Sequence, residues 1–125
     1  MPLTGLHFLL VENEPLIGLD VVMMLEGAGA TVQGPIISAH EAMEAVVSAS
    51  SERAWDMAIM DYQLGEETCE PAARPLCSKH IPVVFHTGSS LRAAALSKEL
   101  SIPIVAKPAS EADFTLAIES YHTKG

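Results

Sequence analysis

Five short apolar runs punctuate the chain: Leu6 to Val11, Thr31 to Ile36, Met57 to Met60, Pro82 to His86 and Ile102 to Ala106. Their lengths suit strands buried on both faces, and each is followed by a stretch whose apolar residues recur at helical spacing. The first such stretch opens at Pro15, carries Leu16, Leu19, Val22, Met23 and Leu25, and is stopped by Gly27 and Gly29. Ser38 and Glu41 form a capping-box pattern for a second helix running to about Ala49. Between Glu66 and His80, Pro71 and Pro75 allow at best a short or kinked helix. A fourth helix runs through Leu91, Ala94, Ala95 and Leu96 to near Leu100. Ser110 and Asp113 can cap a last one carrying Phe114, Leu116, Ala117, Ile118 and Tyr121. The order is (βα)5, which predicts an α/β domain with a parallel sheet and right-handed crossovers.

At 125 residues the chain is expected to form one domain, 1–125, with no room for an attached output domain. The apolar share of 49% excludes a disordered class. No apolar stretch approaches the ~20 residues of a membrane span, and no basic segment precedes the first apolar run, so a cytoplasmic location is expected. A formal charge of −9 without a Lys/Arg cluster argues against nucleic-acid binding. Cys69 and Cys77 would stand ~12 Å apart along a helix, beyond disulfide reach, and are read as free thiols.

Four of the runs end on residues able to handle a phosphoryl group or its metal: Glu12-Asn13, Asp61, Thr87 and Lys107. In an open parallel sheet, ligands bind beyond the carboxyl ends of the strands, so these residues are expected to share one pocket. Asp61 is the candidate nucleophile, because an ionised carboxylate can hold a phosphoryl group as an acyl phosphate when the incoming charge is offset. Mg²⁺ would provide the offset, with Glu12, Asn13, Asp61 and the backbone carbonyl of Gln63 as its oxygen ligands. Lys107 would pair with Asp61 at rest and with a phosphoryl oxygen afterwards, and its place before Pro108 suggests a cis peptide. Thr87 offers a hydroxyl donor, and Gly88 leaves room for a phosphodonor side chain.

On these residues the chain resembles the receiver domains of two-component response regulators from Leu6 to Tyr121. Glu12 matches the first of the family's acidic pair, Asp61 the phospho-acceptor, Thr87 the hydroxyl, and Lys107-Pro108 the lysine and its proline. The resemblance implies a flavodoxin-like doubly wound fold with strand order 2-1-3-4-5. It also implies Mg²⁺-dependent phosphorylation of Asp61 by a sensor histidine kinase or histidine phosphotransfer protein. Output would pass to a downstream protein target, by a monomer or weak homodimer in a phosphorelay. The Pro-containing segment after Asp61 also looks like a shorter, stand-alone receiver subtype. Gln63 and Ser89 match positions at which the family tunes phosphoryl lifetime.

Two positions depart from the family. Asn13 replaces the second acid, which implies weaker Mg²⁺ binding and slower phosphorylation, although Glu12, Glu14 and Asp61 keep the pocket anionic. Ile104 replaces an aromatic switch residue three positions before Lys107, so signalling through the Thr87 to Ser90 loop is the expectation. These departures motivate a rival, a phosphorylation-independent pseudo-receiver that only binds partners. A phosphatase of the haloacid-dehalogenase type is a further rival, but it needs an acid where Gln63 stands.

The five histidines (His7, His40, His80, His86 and His122) show no metal-ligand spacing and read as structural or surface residues. The methionines read as core filling. Trp55 is expected at the end of the sheet opposite Asp61. The acidic excess reads as a solvated surface, with Glu66, Glu67 and Glu70 near the rim of the pocket.

Overall fold

Residues 3–49, 54–88 and 90–123 are described by the computed structural model. The main strands are β1 (His7–Val11), β2 (Thr31–Ile36), β3 (Met57–Met60), β6 (Val83–Thr87) and β7 (Ile104–Ala106). They form one sheet in the order β2-β1-β3-β6-β7, with every pairing parallel. This is the expected 2-1-3-4-5 order of the five main strands. The helices are α1 (Pro15–Gly27), α2 (Ala39–Ser48), α3 (Glu70–Ser78), α4 (Ser90–Leu100) and α5 (Glu111–Thr123).

Side-chain alternation along the strands feeds two cores. Leu9, Val11, Ala58, Met60, Val83 and Phe85 face α2, α3 and α4, where Val46, Leu76 and Leu96 meet them. Phe8, Leu10, Met57, Ile59, Val84 and Val105 face α1 and α5, where Val21, Leu25, Phe114 and Ile118 close the second layer. Burial on both faces explains why β1, β3 and β6 read as apolar runs, whereas the edge strand β2 is nowhere fully buried and carries Thr31, Gln33 and Gly34.

Helix faces are less faithful to the sequence expectation. In α1 the buried positions are Gly18, Val21 and Leu25, while Leu16, Leu19 and Met23 are exposed. In α4 the core positions are Ala93 and Leu96, with Leu91 at the surface, and in α5 Leu116 is exposed. These helices have apolar residues on several sides, so spacing alone does not single out the face that meets the sheet.

The sequence did not announce a two-stranded antiparallel hairpin, β4 (Gln63–Leu64) with β5 (Glu67–Thr68), immediately after Asp61. Gly65 turns it at φ +68, and Gln63 Nε2 donates to the carbonyls of Gly65 at 2.7 Å and Glu67 at 3.1 Å. The expected short helix follows as α3, with Pro71 in its first turn and Pro75 inside it. Glu41 N–H donates to Ser38 Oγ, one half of the predicted capping pair. Ser110 and Asp113 cap α5 reciprocally, at 2.9 and 3.1 Å.

Two glycines bring the first acidic residue into place. β2 slips register opposite Leu9 to Val11, and Gly34 there holds φ +132, where an added Cβ would stand 2.4 Å from the Leu10 carbonyl oxygen. Beyond the slip, Ile36 accepts from Glu12 N–H at 2.8 Å. Gly18 lets α1 close on the same corner, since a Cβ would fall 2.8 Å from Pro35 Cβ and 3.6 Å from Glu12 Cγ.

Candidate phosphoryl-acceptor site

Four of the five strands each hand one residue to the carboxyl edge of the sheet. Glu12 follows β1, Asp61 follows β3, Thr87 ends β6 and Lys107 follows β7. Asp61 N–H donates to the Val11 carbonyl at 2.9 Å, and Lys107 N–H to the Thr87 carbonyl at 3.1 Å, so neighbouring backbones lock the four positions together. The Lys107-Pro108 peptide is cis, as the sequence suggested.

Lys107 Nζ lies 2.7 Å from Asp61 Oδ2 and 2.7 Å from Glu12 Oε1, with Glu14 Oε1 farther off at 3.9 Å. The contact to Asp61 is a hydrogen bond, and Glu12 Oε1 is ion-paired with the same ammonium. Glu12 Oε2 accepts from Glu14 N–H at 3.2 Å, and Asp61 Oδ1 from Gln63 N–H at 3.3 Å. Glu12 is 1% exposed and Asp61 5%. Three carboxylates thus face one ammonium.

Burial pushes the Glu12 carboxyl above its usual range, and the Asp61 charge adds to this against the opposing pull of Lys107. Burial opposes the Lys107 charge too, but its partners Asp61 and Glu12 outweigh it and raise the amine. Cys69, a free thiol as expected, is pushed up to about 12 by burial and by the Asp61 charge. It is a packed, inert side chain.

Asn13, Glu14, Asp61, Gln63, Thr87, Gly88 and Lys107 line a cavity of 240 Å³. Of the sequence-predicted site residues, Asn13, Asp61, Gln63, Thr87 and Lys107 line it, and Glu12 lies buried behind the wall, 2.7 Å from Lys107 Nζ. Asn13 and Gln63 reach its wall, Thr87 is buried at its base, and Ser89 lies outside the described residues. Glu14 is the member that pattern reading did not count as a ligand. Its signal was only a third acidic side chain two residues after Glu12. Of the rim acids, Glu66 and Glu67 are exposed, while Glu70 pairs with Arg74 at 2.8 Å, which also holds Glu99.

The donors fit a hard divalent cation: all are oxygens, and carboxylate oxygens of Glu12, Glu14 and Asp61 lie within 4.8 Å of one another. Mg²⁺ would be held by Asp61, Glu12 and the acid-rich rim, and would offset phosphoryl charge there.

Behind the site, His86 is 3% exposed, packs edge-on against Phe114 at 4.9 Å between ring centroids, and leaves Nε2 without a hydrogen-bond partner. Burial, reinforced by the Lys107 charge, lowers its pKa to about 4. The native state therefore resists protonation that the unfolded chain accepts. Stability from this residue is complete above the ordinary histidine pKa and is lost as pH falls from about 6.5 toward about 4. Wild type is expected to lose about 3 kcal/mol more than His86→Leu across that interval. Urea melts of both proteins at the two ends of the interval measure the difference, and equal losses would remove His86 from the account.

Trp55 precedes β3, at the opposite end of that strand from Asp61, and donates from Nε1 to Gln33 Oε1 at 3.0 Å. No helix among the described residues is long and apolar enough to cross a membrane.

No protein-family model and no curated protein matches the chain. Solved structures do. A response regulator receiver domain protein from Clostridium thermocellum is similar over 95% of each chain, with 20% identity and a TM-score of 0.79. The non-phosphorylated HemR receiver domain from Leptospira biflexa covers 93% of each chain, with 21% identity and a TM-score of 0.76. The receiver domain of a sensor histidine kinase from Pseudomonas aeruginosa, solved with a magnesium ion in its active-site cleft, covers 94% of this chain and 98% of its own, at 21% identity and a TM-score of 0.76. At that level of identity the shared property is architecture. Over more than nine-tenths of its length, the chain has the flavodoxin-like fold of response regulator receiver domains.

Proposed function

We propose that the protein is a response-regulator-type signalling domain that accepts a phosphoryl group on Asp61 and catalyses that step itself. The observation carrying this reading is the meeting of Asp61, Glu12, Thr87 and Lys107 at adjacent strand ends, with Lys107 Nζ 2.7 Å from both carboxylates. In the reaction an Asp61 carboxylate oxygen attacks the phosphorus of a phosphohistidine. The P–N bond breaks, the imidazole leaves, and an acyl phosphate forms. Lys107 turns its charge from Asp61 to a phosphoryl oxygen, and the Thr87 hydroxyl donates to another. Asp61 and Glu12 would hold Mg²⁺, which when bound would supply positive charge to offset that of the phosphoryl group.

The phosphodonor is a sensor histidine kinase or a histidine phosphotransfer protein. Leu16, Leu19 and Met23, exposed by 79%, 52% and 63%, make an apolar stripe at i, i+3 and i+7 on α1, which begins beside the site. Such a stripe suits docking of a partner helix. Output passes to a downstream protein from a cytoplasmic monomer or weak homodimer, and Ile104 in place of an aromatic side chain favours signalling through the segment after Thr87. The acidic surface of a chain with net charge −9 suits neither nucleic acid nor anionic lipid as a partner.

The test is incubation with acetyl phosphate, read by intact mass. The expected result is addition of one phosphoryl group per chain in the presence of Mg²⁺ and none in excess EDTA. A protein that gains no mass at saturating Mg²⁺ is not a phospho-acceptor.

A further inference from the structure

We infer that Glu14, rather than Asn13, supplies the second cation-binding carboxylate of this site, an inference that rests on the phospho-acceptor reading above. Asn13 brings an oxygen to the cavity but no charge. Glu14 brings a full carboxylate whose oxygen lies within 4.8 Å of carboxylate oxygens on both Glu12 and Asp61. Ligand oxygens of an octahedral Mg²⁺ stand about 3.0 Å apart when adjacent and about 4.2 Å when opposite, so the set must draw in by about 1–2 Å, which rotation of the exposed Glu14 side chain allows.

Three further observations favour that role. Glu14 stands at the N-cap of α1, yet its side chain makes no capping hydrogen bond, and Pro15 fixes the start of the helix without it. Its backbone N–H is spent on Glu12 Oε2, which anchors the residue against the buried acid. One ammonium against three carboxylates leaves two negative charges in excess, the charge of one divalent cation. The site thus recovers, one residue later, the acid that position 13 lacks.

The experiment is a Mg²⁺ titration followed by amide chemical shifts, with isothermal calorimetry alongside, on wild type, Glu14→Gln and the double variant Glu14→Gln with Asn13→Asp. Glu14→Gln is expected to weaken Mg²⁺ by about tenfold, because charge count sets the affinity of such sites. The double variant is expected to regain most of the loss. Glu14 is 60% exposed on its side chain, so the substitution is not expected to unfold the protein, which its melting curve checks. Glu14→Gln binding Mg²⁺ as tightly as wild type overturns the inference and leaves the phospho-acceptor reading standing. A double variant no tighter than the single one also overturns it, because a ligand charge would then not be what was lost. Wild type that binds no Mg²⁺ removes both.

Discussion

Asp61→Asn is expected to abolish phosphoryl incorporation from acetyl phosphate while leaving the fold intact. An amide is a poor nucleophile, and no other carboxylate occupies the same position: Glu12 is 1% exposed beneath the site and Glu14 stands at its rim. Stability is expected to be equal to or slightly above that of wild type. Removing the Asp61 charge relieves its repulsion of Glu12, which is one cause of the raised Glu12 pKa, and Lys107 keeps its 2.7 Å contact with Glu12. Intact mass measures incorporation, and a thermal melt measures stability. Hydroxylamine should release the wild-type label, since it cleaves acyl phosphates. Label that persists in Asp61→Asn, or that resists hydroxylamine in wild type, would place the modification on another residue and end the case for Asp61.

Why the four site residues were legible in advance as a working set, while Glu14 was legible only as a charge near the pocket, is a matter of how each is positioned. Glu12, Asp61, Thr87 and Lys107 are placed by backbone: each stands at the end of a strand whose apolar run is visible in the sequence, and parallel pairing does the rest. Glu14 is placed by a side chain reaching back over a turn, which no periodicity records. The same distinction separates the main strands from the helices. Strand order follows from alternation with crossover helices, but Leu16, Leu19 and Met23 could not be assigned to the surface while α1 is apolar on more than one side. The β4–β5 hairpin escaped because two-residue strands leave no pattern; its turn at Gly65 was the single available sign. His86 reads in sequence like any polar residue near a strand end. Only the packing of Phe114 and the nearness of Lys107 make it a buried neutral base.

Lys107→Met is expected to cost about 3–5 kcal/mol of folding stability near neutral pH without Mg²⁺, the range for stranding buried charge by removing one partner. Met matches the length of the stem, so the loss reports charge rather than packing. Two carboxylates, 1% and 5% exposed, would then face each other with no cation between them. The pH dependence gives the cause. Glu12 already has a raised pKa in the folded protein, so its native form takes up a proton that the unfolded chain still lacks. A group raised in this way favours the native state below its unfolded pKa and loses that contribution as pH climbs through the folded value. Without Lys107 the folded value rises further, and the gap between variant and wild type should narrow steadily as the solution is acidified toward the ordinary carboxylate range. Added Mg²⁺ should narrow it near neutral pH as well, by binding the folded state alone. Urea melts with EDTA and with Mg²⁺, near neutrality and near the carboxylate range, separate these effects. If Lys107→Met is as stable as wild type in EDTA near neutrality, the lysine does not balance a buried acidic pair. If the gap is present but indifferent to both protons and Mg²⁺, it comes from packing around the cis Lys107-Pro108 turn rather than from the charges that would hold a phosphoryl group.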